Sequence, residues 1–392
     1  MAFGLAALAS LAPFGALAAV PTAPVNLSAV ASSPGVIRLE WTAVTNNPRI
    51  AGYLVERCAG ADCTNFVPVA SLPAWGISGP LKVSTNNPRY FANPAGQAVL
   101  VGGSSHWANF IDMGTVYPPP AFNYDAWLDF LSTNGHNFFR LWSQPLPKRN
   151  YTIQDAGPWF TSPHPWLRTG PGNASDGLPK FDLTQFNPAF FDRLRDRVLK
   201  ANARGIYVAI TLFDGYQIQF DRRTDDGYPL TGTNNINGVN DGGGTNSHVL
   251  ATVPASVLAV EEAYVRKVID TVNDLPNVCY EISNESGGYS TAWQQHMIAL
   301  VKNYQTNKPL QHPVGFTFQY DGGTDATLYA SAADWVSPSE RFPTNNGTRR
   351  VLNNDTDHSY YWTAMKSDGP QLNRAFVWRN FCAGNSRSEE HT

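Results

Sequence analysis

The chain has 392 residues, 43% of them hydrophobic and only 15% charged, with a formal net charge of −3. That length exceeds what one small domain needs and supplies ample apolar material for a core. The balance of charge leaves no basic stripe, which argues against a nucleic-acid partner.

Residues 1–19 are small and apolar, ending G-A-L-A-A before Val20-Pro21. This is the pattern of a signal peptide with an A-x-A-like cleavage site, without its positive start. Pro13 and Gly15 interrupt the run, and no later stretch is long and apolar enough to span a bilayer. The expectation is a secreted or periplasmic protein with no membrane span. Of four cysteines, Cys58 and Cys63 enclose a short polar loop and could pair. Cys279 and Cys382 read as small core hydrophobes, and no zinc spacing is present.

Residues 20–80 form the next segment. Within it 25–30, 35–41 and 50–58 alternate as strands do and are separated by turn residues. The pattern P-x-N-L-S-A, then I-x-L-x-W around Trp41, then I-x-G-Y-x-V-E-R resembles a fibronectin type III module. Only about half of such a module is visible before residue 80, and it contains no catalytic constellation. It reads as a spacer or binding module.

From residue 81 the character changes. Apolar strands are predicted at 98–103, 137–142, 205–213, 277–283, 313–319, 334–336 and 350–353. Between them lie helical patterns at 123–133, 188–203, 254–273 and 291–304, with a last one near 371–381. Asn123 is a plausible N-cap, and Pro188 opens a helix that Gly205 follows. Two long loops, 143–186 and 231–247, are rich in Gly, Pro, Trp and Asn, and the first predicts an ordered cover. Strand–helix alternation with apolar strands implies parallel pairing. Seven such units predict an α/β fold, a (β/α)8 barrel over 81–386 that lacks its last strand. Residues 387–392, R-S-E-E-H-T, have no fold logic and resemble the translation of a common sequencing adapter. They are expected to be a non-native tail on a truncated barrel.

Polar residues gather at the carboxyl ends of these strands, where α/β barrels keep their chemistry. In chain order they are His106 and Trp107, Arg140 and Trp142, Asp214, Asn284 and Glu285, Gln319 and Tyr320, Glu340, and Asp355, Asp357 and His358. Buried polar groups are costly without partners, so a ring of them at one end suggests a polar cleft. Trp107, Trp142, Trp159 and Trp166 are equally candidates for stacking platforms and for ordinary core.

The motif N-F-F-R-L at 137–141 and the Asn284-Glu285 pair resemble the second- and fourth-strand signatures of the large (β/α)8 clan of glycoside hydrolases that includes cellulases. Residues 87–381 are similar to a poorly characterised bacterial, cellulase-like group within it. The shared pieces are N-P-R-Y-F, Y-V-R-K-V-I-D-T-V-N-D-L-x-N-V, Y-E-I-S-N-E, H-P-V-G-F-T-F-Q-Y and N-D-T-D-H. The resemblance implies a carbohydrate substrate, no cofactor, Glu285 as general acid/base and Asn284 on a sugar 2-hydroxyl. The other strand-end residues would contact substrate. The clan's seventh strand ends in a nucleophilic Glu; here Asp355 stands at that position, with Asp357 and Glu340 as rivals. Arg140 would either keep Asp355 ionised or form a structural ion pair under the barrel mouth. Asp-x-Asp-His also raises a metal site, but no second His cluster accompanies it and none is predicted. The leading expectation is a retaining glycosidase. A carbohydrate-binding protein without turnover and an adhesion protein led by the N-terminal part are the alternatives. Sugar, linkage and oligomeric state are left open.

Overall fold

The computed structural model describes residues 77–149, 157–339, 350–355 and 378–389, and the backbone of strands at 2–9, 25–33, 36–42, 50–58 and 67–73. Two compact units emerge, 1–77 with 202–205, and 78–201 with 206–392.

In the first unit, Val25–Ser33 pairs antiparallel with Val36–Thr42, and Ile50–Cys58 pairs antiparallel with both Val67–Pro73 and Ala2–Ala9. The three strands expected from alternation are all present. Ala2–Ala9 lies within the stretch expected as a leader. The side chain of Cys58, and Cys63, fall outside the described residues, and with them their expected pairing.

The second unit is built on a parallel sheet. Its strands are β1 (Gly102–Ser104), β2 (Phe138–Leu141), β3 (Tyr207–Asp214), β4 (Val278–Asn284), β5 (Val314–Thr317), β6 (Trp335–Ser337), β7 (Val351–Asp355) and β8 (Ser386–Glu389). Six of them, β2 to β7, pair in sequence order, and β8 then β1 carry the sheet onward from β7. Asn137 N–H donates to the Gly102 carbonyl at 3.0 Å, so β1 meets β2 and the strands close in a ring. A Cβ on Gly103 would stand 1.8 Å from the Phe138 carbonyl oxygen, so this seam requires glycine.

Helices fill the crossovers: α1 (Tyr124–Thr133), α2 (Pro188–Asn202), α3 (Ala255–Val272), α4 (Thr291–Gln305) and α5 (Asp325–Ala330). Their starts follow local chemistry. The Asn123 side chain accepts from Ala126 N–H to cap α1, and Pro254 precedes α3. Each buries a helical stripe, such as Tyr124, Leu128 and Leu131 on α1. These stripes join Phe139, Leu141, Ile210, Leu212, Tyr280, Ile282 and Phe316 from the strands in one core. No described helix is long and apolar enough to cross a membrane.

Four expectations are corrected. The first barrel strand is 102–104, not 98–103; Ala98–Val99 belongs to a small antiparallel sheet with Phe91–Ala92 and Lys82–Val83. The 143–186 loop carries strands of its own, including the antiparallel pair Trp166–Asn173 and Pro179–Phe186. The eighth strand position, expected to be empty, is filled by Ser386–Glu389, paired to β7 and β1. Backbone pairing needs no apolar side chains, so a polar stretch takes it. Cys382 is exposed, whereas Cys279 is buried as expected. Of the helix expected near 371–381, residues 378–383 are helical and the earlier part lies outside the described residues.

Candidate active site at the barrel mouth

All seven residues of β4 are buried. Strand alternation sends Tyr280 and Ile282 to the helix-facing core. Glu281 takes the opposite direction and meets side chains of three other strands, which is possible only inside the ring. Its carboxylate accepts from Arg140 Nε at 2.7 Å and from Nη2 at 2.5 Å. Thr211 Oγ1 donates to it at 3.2 Å and Thr317 Oγ1 at 2.5 Å. Both charges are sequestered, at 0% and 2% exposure. Burial on this scale is tolerated because the pair is bidentate and fully hydrogen-bonded. Arg140 Nη2 also donates to Asn284 Oδ1 at 3.0 Å, so the ion pair aims the amide at the end of β4. Arg140 forms the ion pair expected beneath the mouth, while the side chain of Asp355, its other expected partner, lies outside the described residues.

Glu285 follows, with 5% of its surface exposed and φ +47°. A left-handed residue that is not glycine costs about 1 kcal/mol or more and persists only where its surroundings impose it. They do so here. Gln219 Nε2 donates to the Glu285 carbonyl. Ser283 and Ser286, on either side of the Asn-Glu pair, share a hydrogen bond of 2.6 Å, and Ser286 Oγ lies 3.2 Å from His248 Nδ1. His248 stacks on Trp293 at 4.3 Å, and Trp293 Nε1 donates to Glu261. A Cβ on Gly215 would lie 2.1 Å from Ser286 Oγ, so the turn after β3 fits against this one only as glycine.

Asp214 ends β3. Gln217 donates to it through its backbone at 3.3 Å and through Nε2 at 2.8 Å. Burial pushes its pKa up to about 6, against the opposing Arg149 charge. Gln217 opens a single π-turn, Gln217–Asp221, whose last residue accepts from Arg149 Nε. Arg149 lies over the Trp107 ring at 5.0 Å, Trp107 stacks on Trp142 at 6.4 Å, and Trp142 lies under Arg140 at 4.6 Å. Arg140, Trp142, Trp107 and Asp214 are thus tied into one wall of the mouth, with Gln144 bridging Gln217 and the Trp107 carbonyl.

The other predicted residues divide. His106 Nδ1 accepts from Ala108 N–H at 3.0 Å and its ring stacks on Phe122 at 4.6 Å; burial lowers its pKa. Gln319 is wholly buried and braces the loop after β4, donating to the Gly287 carbonyl at 3.2 Å and accepting from Thr291. Tyr320 is 57% exposed. Trp166 packs on Tyr264 in the core, and Trp159 is half-buried on Trp159–Ser162. Asp355 is the last residue of β7; its side chain, and Glu340, Asp357 and His358, lie outside the described residues. Among the described residues no three His, Cys, Asp or Glu side chains gather as a metal site. Sequence reasoning missed Glu281, His248 and Gln219. A Glu inside an apolar strand, matched by an Arg inside another, was the available signal for the first.

No family model matches the chain, nor does any curated protein. Among solved structures, a glycoside hydrolase described as putative, from Bacteroides vulgatus, superimposes with a TM-score of 0.51 at 14% identity. The match covers 99% of this chain and 71% of that one. A family 5 glycoside hydrolase from the same organism gives 0.46 at 14% identity, covering 80% and 62%. A family 5 mannosidase from Rhizomucor miehei gives 0.49 at 11% identity, covering 79% and 84%. The first of these supports the barrel fold. The chain spans 62% of the length of the family 5 structure from Bacteroides vulgatus.

Proposed function

We propose that the chain is a glycoside hydrolase acting on a poly- or oligosaccharide, with Glu285 as general acid/base. What supports this most is the backbone of Glu285. It is a carboxylate at the carboxyl end of a barrel strand, nearly buried, in a left-handed conformation held by Gln219 and by the Ser283–Ser286–His248 hydrogen bonds. Strain imposed by surrounding structure is the mark of a site whose geometry matters. Asn284, oriented by Arg140, is available to a sugar hydroxyl beside it. Asp355, ending β7, supplies the second carboxylate as nucleophile, with Asp357 and Glu340 as rivals. A retaining reaction requires the two carboxyls roughly 5–5.5 Å apart, an inverting one roughly 6.5–9.5 Å. The apolar start of the chain supports action outside the cytoplasm.

The shorter Asp in place of Glu on β7 favours a second possibility, a protein that binds glycan without cleaving it. Wild type and Glu285→Gln, assayed on plant polysaccharides and aryl glycosides with NMR of the first-formed anomer, separate the two. Polysaccharide turnover by wild type, abolished in the variant, with retained configuration, is the expected result. Glycan binding by both proteins with turnover by neither refutes the enzyme.

A further inference from the structure

The π-turn after β3 does more than brace carboxylates. π-turns are rare and concentrate at functional sites. Gln217 holds Asp214, Gln219 holds the Glu285 carbonyl and Asp221 holds Arg149. Ile218 is buried in the core, and the other large side chain, Phe220, is 40% exposed. It meets Tyr320, from the loop after β5, at 5.6 Å and 88°, and Tyr216 at 5.0 Å. An edge-to-face pair covers at most one face of one ring and leaves the others open to further contacts. The Asp321 carbonyl, next to Tyr320, accepts from Gly288 N–H, three residues beyond Glu285.

We propose that Phe220 and Tyr320, flanked by Tyr216, form an outer subsite that stacks a pyranose ring of a glycan chain leaving the Glu285 cleft. The inference deepens the proposed function and rests on it for the position of the cleft. Three observations favour a sugar as the occupant. Among the described residues the apolar area of this aromatic island is three partly covered rings, far short of the roughly 800 Å² per partner of a protein interface. A pyranose presents one small C–H face of matching size with hydroxyls at its rim, and a Tyr ring meets both, apolar in body and polar at its tip. The island is tied by hydrogen bonds on two sides to the turn that carries Glu285, through Gln219 and through Asp321, so a chain occupying both sites needs no detour.

The test compares glycan length. In a Glu285→Gln background, calorimetric affinities for mannohexaose and cellohexaose are measured beside those for mannobiose and cellobiose, with and without Phe220→Ala and Tyr320→Ala. Both rings are exposed, so the urea midpoint serves as a check that each variant is folded. The expected result is a loss of about two- to tenfold per ring for a hexasaccharide, larger than the loss for the matching disaccharide. Hexasaccharide affinity unchanged by either substitution overturns the subsite, as does failure of the parent to bind either hexasaccharide. If wild type cleaves no glycan yet ring-dependent hexasaccharide binding persists, the proposed function falls and the subsite stands. If wild type cleaves glycans with a length preference that both substitutions leave intact, the subsite falls and the function stands.

Discussion

Replacing Glu281 with Ala strands the Arg140 guanidinium in the barrel interior. The two side chains are 0% and 2% exposed and share two hydrogen bonds, and Thr211 and Thr317 contribute two more. Removing one partner of a buried pair costs about 3–5 kcal/mol, because the survivor keeps its charge without water or counterion. Each hydroxyl left without an acceptor adds about 1 kcal/mol. Removing both charges together, as Glu281→Leu with Arg140→Met, costs much less than the sum of the single losses, since no charge is left behind. Urea titration, followed by tryptophan fluorescence, of wild type, Glu281→Leu, Arg140→Met and the double variant gives all four corners of this cycle, with Glu281→Ala measured beside them. A loss below about 1 kcal/mol for Glu281→Ala, or single losses that simply add, would refute the coupling.

Three more predictions follow from the same contacts. Gly215→Ala places a methyl 2.1 Å from Ser286 Oγ and 2.4 Å from its Cα; it should cost about 1–3 kcal/mol in urea titration and most of the turnover, by moving the Glu285 turn. Asp214 has a folded pKa of about 6 against an ordinary 3.8. The folded state therefore binds its proton more tightly, and stability falls as pH rises from 3.8 through 6. Asp214→Asn should be more stable than wild type by up to about 3 kcal/mol at pH 7, an advantage that vanishes near pH 4. Buried His164 and His248 work in the opposite sense. Burial first, and the charges of Arg168 and Arg222 next, lower each to about 3 from 6.5. Their neutral forms fit the fold, so stability is lost as pH falls from 6.5 toward 3. Urea midpoints from pH 7 to pH 4 should drop less steeply in His164→Gln than in wild type.

Much of the barrel is legible because its strands are apolar runs of strand formers and its helices carry caps and stripes. Asn284-Glu285 stands out as a polar pair ending such a run. Other parts resist for physical reasons. β1 and β8 are held by backbone pairing, with little side-chain pattern to mark them. The apolar run at 98–101 feeds a local antiparallel sheet that alternation alone cannot distinguish from a barrel strand. The clamp on Glu285 joins His248 to Ser286 from 38 residues away, and Gln219 to Glu285 from 66. No local spacing announces such contacts. Arg140 was legible as a polar residue in a buried strand; its partner Glu281, four residues before the catalytic candidate, was hidden by it.

The role of Glu285 is tested most directly by a leaving-group series. Aryl glycosides of mannose and glucose, from dinitrophenyl to phenyl, are offered to wild type and Glu285→Ala. An acid that protonates the departing oxygen matters most when that oxygen is basic. The variant should lose about 10²–10⁴ in kcat/KM on the phenyl glycosides and far less on the dinitrophenyl ones. A loss of equal size across the series, or no loss at all, would contradict Glu285 as the acid.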